Sequence, residues 1–281
     1  MIDFLTRLSV PALITLREGL EAALIVGIVI GYLAKIGQRN QVRAAWLGVL
    51  AAVAASTLIA FGINAVGAKL EAPAEQIFEG STMFLAVIVI TWMVLWMRVQ
   101  ARFFKGALEK DIHTAATSGQ MWALFGVTFL AVFREGVETA LFLAASAFAV
   151  DGTTTLIGAV VGLGAAALLG WLIYASTVRL NVGLFFNVTS VLLLFFAAGL
   201  FAHGVHEFQE VSLLPMTIEH VWDINHILNE SSTPGELLKA LFGYNGNPSL
   251  LEVLSYVAYW VLALLGVRWW VGRRAARMTA A

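Results

Sequence analysis

Apolar positions along the chain gather into seven blocks, at about 8–34, 44–67, 76–97, 121–150, 155–178, 183–203 and 250–271. Each is near the twenty or so residues that a helix needs to cross roughly 30 Å of hydrocarbon. Strictly alternating segments of about ten residues, the mark of a membrane barrel, are absent. A backbone in hydrocarbon has no water to pair with, so each block is predicted to be a helix. The pattern predicts an all-α polytopic membrane protein with seven transmembrane helices. Residues 1–110 form a first three-helix unit, 111–210 a second, 211–249 a long loop, and 250–281 a seventh helix with a basic tail.

Composition agrees. Hydrophobic residues make up 60% of the 281 and charged residues 12%, too few charges to cover a soluble domain, where about 25% is usual. The net charge of −1 excludes an electrostatic nucleic-acid binder. With no cysteine, disulfides, zinc thiolates, iron–sulfur clusters and thiol nucleophiles all drop out. Any metal must be held by oxygen, His or Met. The first block is too long for a signal-peptide core, follows no basic segment and carries charges inside it, so no cleavable signal is expected.

Charge then orients the chain. Alternate loops collect Lys35, Arg39, Arg43, Arg98, Arg102, Lys105, Lys110, Arg179, Arg268, Arg273, Arg274 and Arg277 on one side, leaving Arg7, Lys69 and Lys239 on the other. By the positive-inside rule the N-terminus is outside and the C-terminus cytoplasmic. Twelve of the eighteen acids fall on the outer side, and only Glu109 and Asp111 on the cytoplasmic side. Insertion does not require that asymmetry. A negative outer face concentrates cations at an entrance, although solubility of the long outer loop explains the acids equally well.

The decisive positions lie inside spans one and four. Arg17-Glu18-Gly19-Leu20-Glu21 and Arg134-Glu135-Gly136-Val137-Glu138 share one pattern at an offset of 117 residues. That offset is three spans, so the two copies run through the membrane in opposite directions. A weaker echo joins Phe78-Glu79-Gly80-Ser81-Thr82 of span three to Phe186-Asn187-Val188-Thr189-Ser190 of span six. The organisation is a 3+3 inverted repeat plus one C-terminal helix, an arrangement that in many transporters places a site at the midplane.

Six charges at mid-membrane carry a nominal insertion cost of about 15–21 kcal/mol, so they must face the interior and pair with each other or with a ligand. Glu18 and Glu21, like Glu135 and Glu138, stand three apart on one helix face. Gly19 and Gly136 remove side chains where spans one and four can cross. Such a crossing gathers four carboxylates and two guanidiniums, and the two arginines, Arg17 and Arg134, balance only half of the acids. Either the charges lock two helices together, or the surplus carboxylates take a transported metal cation, with the arginines keeping them ionised. Oxygen-only ligation suits Fe³⁺, Mn²⁺, Mg²⁺ and Ca²⁺ alike.

The paired motifs resemble the oxidase-dependent high-affinity iron permease family of fungi and its bacterial relatives, which is marked by Arg-Glu-Gly-Leu-Glu in helices one and four. The first copy here matches fully, and the second carries Val137 in place of Leu. The likeness covers nearly the whole chain, including Glu79-Gly80 in span three and His206-Glu207-Phe208-Gln209-Glu210 after span six. It implies iron import across the cytoplasmic membrane, with Glu18, Glu21, Glu135 and Glu138 as iron ligands and no organic cofactor. It also implies delivery by a periplasmic or oxidase partner protein, with membrane lipid as the other surroundings.

An outer approach follows from the remaining polar residues. Glu71, Glu75 and Glu79 form a ladder at the outer end of span three, and Glu79 is assigned to the route with Glu75. His203, His206, Glu207 and Glu210 share a face if span six continues outward. Glu219, His220, Asp223 and His226 repeat helical spacing in the long loop. A solvated amphipathic helix would show the same residues. Trp92, Trp96 and Met97 read as lipid-facing or interfacial, and Gly27-x-x-x-Gly31 and Gly158-x-x-x-Gly162 as close-packing signals.

The reading is an iron permease and not an enzyme. A proton-coupled transporter of another hard divalent cation is the nearest alternative. An intramembrane metalloenzyme stands further off, because the spans offer Glu-x-x-Glu without the histidines such centres use.

Overall fold

Each apolar block becomes a helix, as a backbone without water requires. The computed structural model describes residues 2–117, 121–149, 152–175, 182–230 and 232–278. Its long helices are α1 (Ile2–Lys35), α2 (Val42–Gly67), α3 (Ala74–Thr117), α4 (Met121–Ala149), α5 (Gly152–Ala175), α6 (Val182–Glu210) and α8 (Leu250–Met278), with a short α7 (Thr233–Phe242) before the last. No strand occurs among the described residues. Among the described residues, four stretches are long and apolar enough to cross a membrane: Arg39–Gly67, Ala74–Met97, Gly152–Ile173 and Gly183–Glu210, with a shorter apolar segment at Leu250–Gly266. The mid-helix charges of α1 and α4 set those two apart on composition alone.

Helix α1 stops where Gly37, at φ 76°, turns the chain. The Gln38 amide donates back to Leu33 and that of Gly37 to Ala34, closing the last turn. Helix α3 is longer than expected. Its 44 residues run about 66 Å at 1.5 Å each, and it passes unbroken through the 110/111 division. The expected loop after span three is therefore helical to Thr117. The reason is an apolar stripe, Leu108, Ile112, Ala115 and Ala116, buried against Val29 and Leu33 of α1, Ala44 and Ala45 of α2, and Leu124 of α4.

Helix packing interleaves the two halves. Helix α5 lies against α1, α2 against α4, α3 against α6, and α1 touches α4 directly. Small residues allow the closest approaches. A Cβ on Gly158 would meet Pro11 at 2.8 Å, and one on Gly162 would overlap Thr15 and Ala12. Gly27 and Gly31, with the same spacing, have nothing within 4 Å of such a Cβ, so only the second of the two glycine pairs is a contact. The outer faces of α2 and α5 are apolar and exposed, at Leu58, Phe61, Val160 and Leu168.

Two apolar cores result. One holds Val10 and Ile14 of α1 with Leu141 and Phe142 of α4. The other holds Ile25 and Val29 with Val132. Both charged motifs lie between them.

The 211–249 segment folds back on the bundle. Ser232 accepts from the Gly235 amide at 3.3 Å, Pro234 occupies the first turn, and Gly243 at φ 68° closes α7. Phe242 then packs on Phe195, with ring centroids 5.0 Å apart, and Gly243 lies against Gly199, inside the stretch expected to be span six. Residues 219–226 are not helical, which corrects the expected series of Glu219, His220, Asp223 and His226. Their backbone bonds across the loop instead: Val221 donates to Pro248 at 2.9 Å and Ile224 to Gly246 at 2.8 Å.

Candidate functional site

The motif side chains converge between the two apolar cores. Arg17 and Glu18 are essentially without solvent exposure, Glu135 and Glu138 are buried, and Glu21 is nearly so. One carboxylate oxygen from each of Glu18, Glu21 and Glu135 lies within 4.8 Å of the others. Glu18 and Glu135 reach each other across the α1–α4 interface, and Glu138 lies within electrostatic range of Glu18, Glu21 and Glu135.

The arginines treat these acids unequally. Arg17 pairs with Glu18, and its Nη2 stands 2.8 Å from Glu21 Oε1. Arg134 Nε donates to Glu138 Oε1 at 2.9 Å. No ion pair reaches Glu135 among the described residues. One buried oxygen on each glutamate has no hydrogen-bond partner: Oε2 of Glu18, Glu135 and Glu138, and Oε1 of Glu21, whose approach to Arg17 lacks hydrogen-bond geometry. Buried carboxylate oxygens are costly without a donor or a cation. The cluster of four carries a formal charge of −2 after two arginines, and its oxygens are of the type that hard cations take.

One turn of α3 holds both arginines. Arg17 donates to Met93 Sδ at 3.1 Å and to Met97 Sδ at 2.8 Å, and also lies 5.9 Å from the centroid of the Phe186 ring. Arg134 stacks on Trp96 at 4.5 Å. Sequence reasoning had put Trp96 and Met97 at the lipid or interface. Only Trp92 of that group is strongly exposed. Nothing in the spacing of Met93, Trp96 and Met97 announces this role, because it depends on which helix stands beside them.

The motif glycines serve crossings other than the expected one. A Cβ on Gly19 would sit 2.7 Å from Ala166 of α5, and one on Gly136 would sit 2.6 Å from Ser56 Cβ of α2. Each glycine therefore admits the helix packed behind its motif, while α1 and α4 meet through the acids themselves.

Nearer the start of α3, Gly80 and Gly204 bring α3 and α6 together: a Cβ on Gly80 would lie 3.1 Å from the Gly204 carbonyl oxygen. Beside that crossing, buried Glu207 feels Glu79, Glu75 and Glu210, and His203 Nε2 stands 3.5 Å from Glu207. His206 bridges Glu210 at 3.3 Å and Glu252 at 3.0 Å. A cavity of about 740 Å³ opens beside His203 and His206, lined also by Glu219, His220, Glu230 and Glu252. Asp223 and His226 are exposed and do not line it. Glu252 was not singled out from sequence. The signal was there, since Ser249 and Glu252 form a reciprocal cap at the start of α8, each amide reaching the other's side chain at 3.3 Å.

The match to known families is decided over residues 9–276, which fit the iron permease FTR1 family. The chain belongs to that family. It is 40% identical over 259 residues to the ferrous iron permease EfeU of Escherichia coli O6:H1 strain CFT073, covering 91% of this chain and 94% of that protein. The protein of the same name from Shigella sonnei matches equally, and that of Yersinia pestis is 39% identical, with 92% of its length covered. No solved structure matches. This permease is thus a multi-pass membrane protein of iron uptake and not an enzyme.

Proposed function

We propose that the permease imports ferrous iron across the cytoplasmic membrane, bound at mid-depth by Glu18, Glu21, Glu135 and Glu138. The observation that carries the reading is the convergence of four buried carboxylates from two helices, each with an oxygen lacking a hydrogen-bond partner. Their formal surplus of −2 is neutralised by a divalent ion. Fe³⁺ would leave a net positive charge in a water-poor layer, which is costly. The relatives named ferrous iron permease agree with that preference.

The chain crosses seven times with its N-terminus outside, as a 3+3 inverted repeat followed by α8. The pairings α1 with α5 and α2 with α4 support this, because a two-fold axis exchanging the halves turns one pair into the other. Iron enters past Glu75, Glu79, Glu207 and Glu210, with His206 and His220 facing the outer cavity, and a periplasmic or oxidase partner delivers it. The two units then rock about the α1–α4 interface.

Uptake of radioactive iron into vesicles holding the purified permease tests the reading. Saturable Fe²⁺ uptake that is lost in Glu21→Gln and Glu135→Gln is expected. Robust manganese or calcium exchange without iron uptake overturns it, as does iron uptake that survives both substitutions. Iron-edge anomalous scattering between α1 and α4 supplies an independent readout.

A further inference from the structure

A second cavity, of about 340 Å³, begins at the central acids and leads the other way. Glu135 and Arg134 form its inner end, and α4 carries it two turns toward its N-terminus past Ala131 and Val127. Ile25 of α1 and Leu108 of α3 close the sides. Glu135 is buried at the inner end, whereas Asp111 is exposed at the outer one. Among the described residues, Asp111 and Glu135 are the only acids lining it.

Two independent facts meet at Asp111. By the charge asymmetry it is one of just two acids on the side that gathers twelve bases, so its presence there runs against the local trend. The unexpected helical extension of α3, locked by Leu108 and Ile112, carries it to this cavity. Glu109, the other acid, does not line it.

A cation leaving four carboxylates faces an otherwise apolar wall and then a basic surface, both unfavourable. At about 30 Å³ per water the cavity holds on the order of ten waters, enough to rebuild an octahedral shell. A carboxylate at the mouth supplies the next oxygen ligand and shields the ion from the basic surface. We infer that this cavity is the cytoplasmic exit of the ion path and that Asp111 is its terminal ligand, taking the ion released by Glu135. The inference rests on the reading of Glu135 as an ion ligand.

Transport kinetics and labelling in vesicles test it together. Asp111→Asn is expected to lower Vmax for Fe²⁺ by about tenfold and KM in parallel, leaving Vmax/KM within about twofold, because release is slowed and capture is not. Glu109→Gln leaves both unchanged. The chain has no cysteine, so Ala131→Cys, or Ala107→Cys if the first does not fold, introduces a single label site. A membrane-impermeant maleimide is expected to reach it from the cytoplasmic face, and Fe²⁺ to slow the reaction. Unchanged Vmax in both Asp111→Asn and Asp111→Ala overturns the inference, and so does labelling from the outer face alone. Glu135→Gln separates the two levels: if it abolishes uptake while Asp111→Asn does not slow it, only the exit assignment falls; if it leaves uptake intact, the central site falls.

Discussion

Arg17 donates through Nη2 to the thioether of Met97 at 2.8 Å, and through Nη1 to that of Met93 at 3.1 Å. The same two nitrogens also face Glu18 and Glu21, so the guanidinium is shared between the acids of its own motif and the two sulfurs. A fully buried arginine needs such acceptors, since an unpaired buried donor costs about 1–3 kcal/mol. Replacing both methionines by leucine preserves volume and removes the acceptors. Met93→Leu/Met97→Leu is therefore expected to lose about 2–4 kcal/mol of stability, read as a lower Tm in detergent. A double variant with unchanged Tm removes the sulfurs from the account.

Glu18 and Glu135 should fail differently. Glu18 pairs with Arg17, so Glu18→Gln weakens the partner of a buried cation as well as a proposed ion ligand, and about 3 kcal/mol of stability should go with uptake. Glu135 has no ion pair among the described residues, so Glu135→Gln should keep its Tm while uptake falls about a hundredfold or more. Equal loss of Tm in the two variants contradicts this division.

Gly136 is held to zero side chain by Ser56. A Cβ there would stand 2.6 Å from Ser56 Cβ and closer to its hydroxyl. Gly136→Ala is expected to cost about 1–3 kcal/mol by overpacking, and Ser56→Gly in the same chain should recover most of it. Thermal unfolding of the two single variants and the double reads the coupling. Additive losses would mean that the α2–α4 crossing does not set the constraint.

Glu252 is an anchor for the 211–249 segment. It accepts from Asn245 at 2.7 Å and from the Ser249 amide at 3.3 Å, and it faces His206 at 3.0 Å. Glu252→Ala strands these groups in a buried place, so the fold-back of 211–249 onto α6 should loosen. Faster cleavage of that segment by a protease added at the outer face is expected, with KM for iron raised more than Vmax is lowered. Cleavage at the native rate argues against the anchor.

Several expectations failed for reasons that are physical. The 108–116 stripe has helical spacing and could have been read as a helix, but its basic flanks made it resemble a loop. Residues 219–226 have helical spacing too, yet their amides found better partners in Gly246 and Pro248, close in space and distant in sequence. Among the two pairs of glycines four apart, only Gly158 and Gly162 meet another helix. A lone pattern records what a helix can tolerate, whereas contact depends on its neighbour.

Sequence alone determined the membrane class, the helical blocks and the six charges that the two motifs place inside spans one and four. Hydrocarbon leaves a chain few options, and charges at that depth are too costly to be incidental. Tertiary structure alone decided that Met93, Trp96 and Met97 carry the arginines, that Gly19 and Gly136 face α5 and α2, and that Asp111 shares a cavity with Glu135. Those relationships join residues on different helices. They depend on the interleaved packing of α1, α4 and their neighbours, which no local pattern encodes.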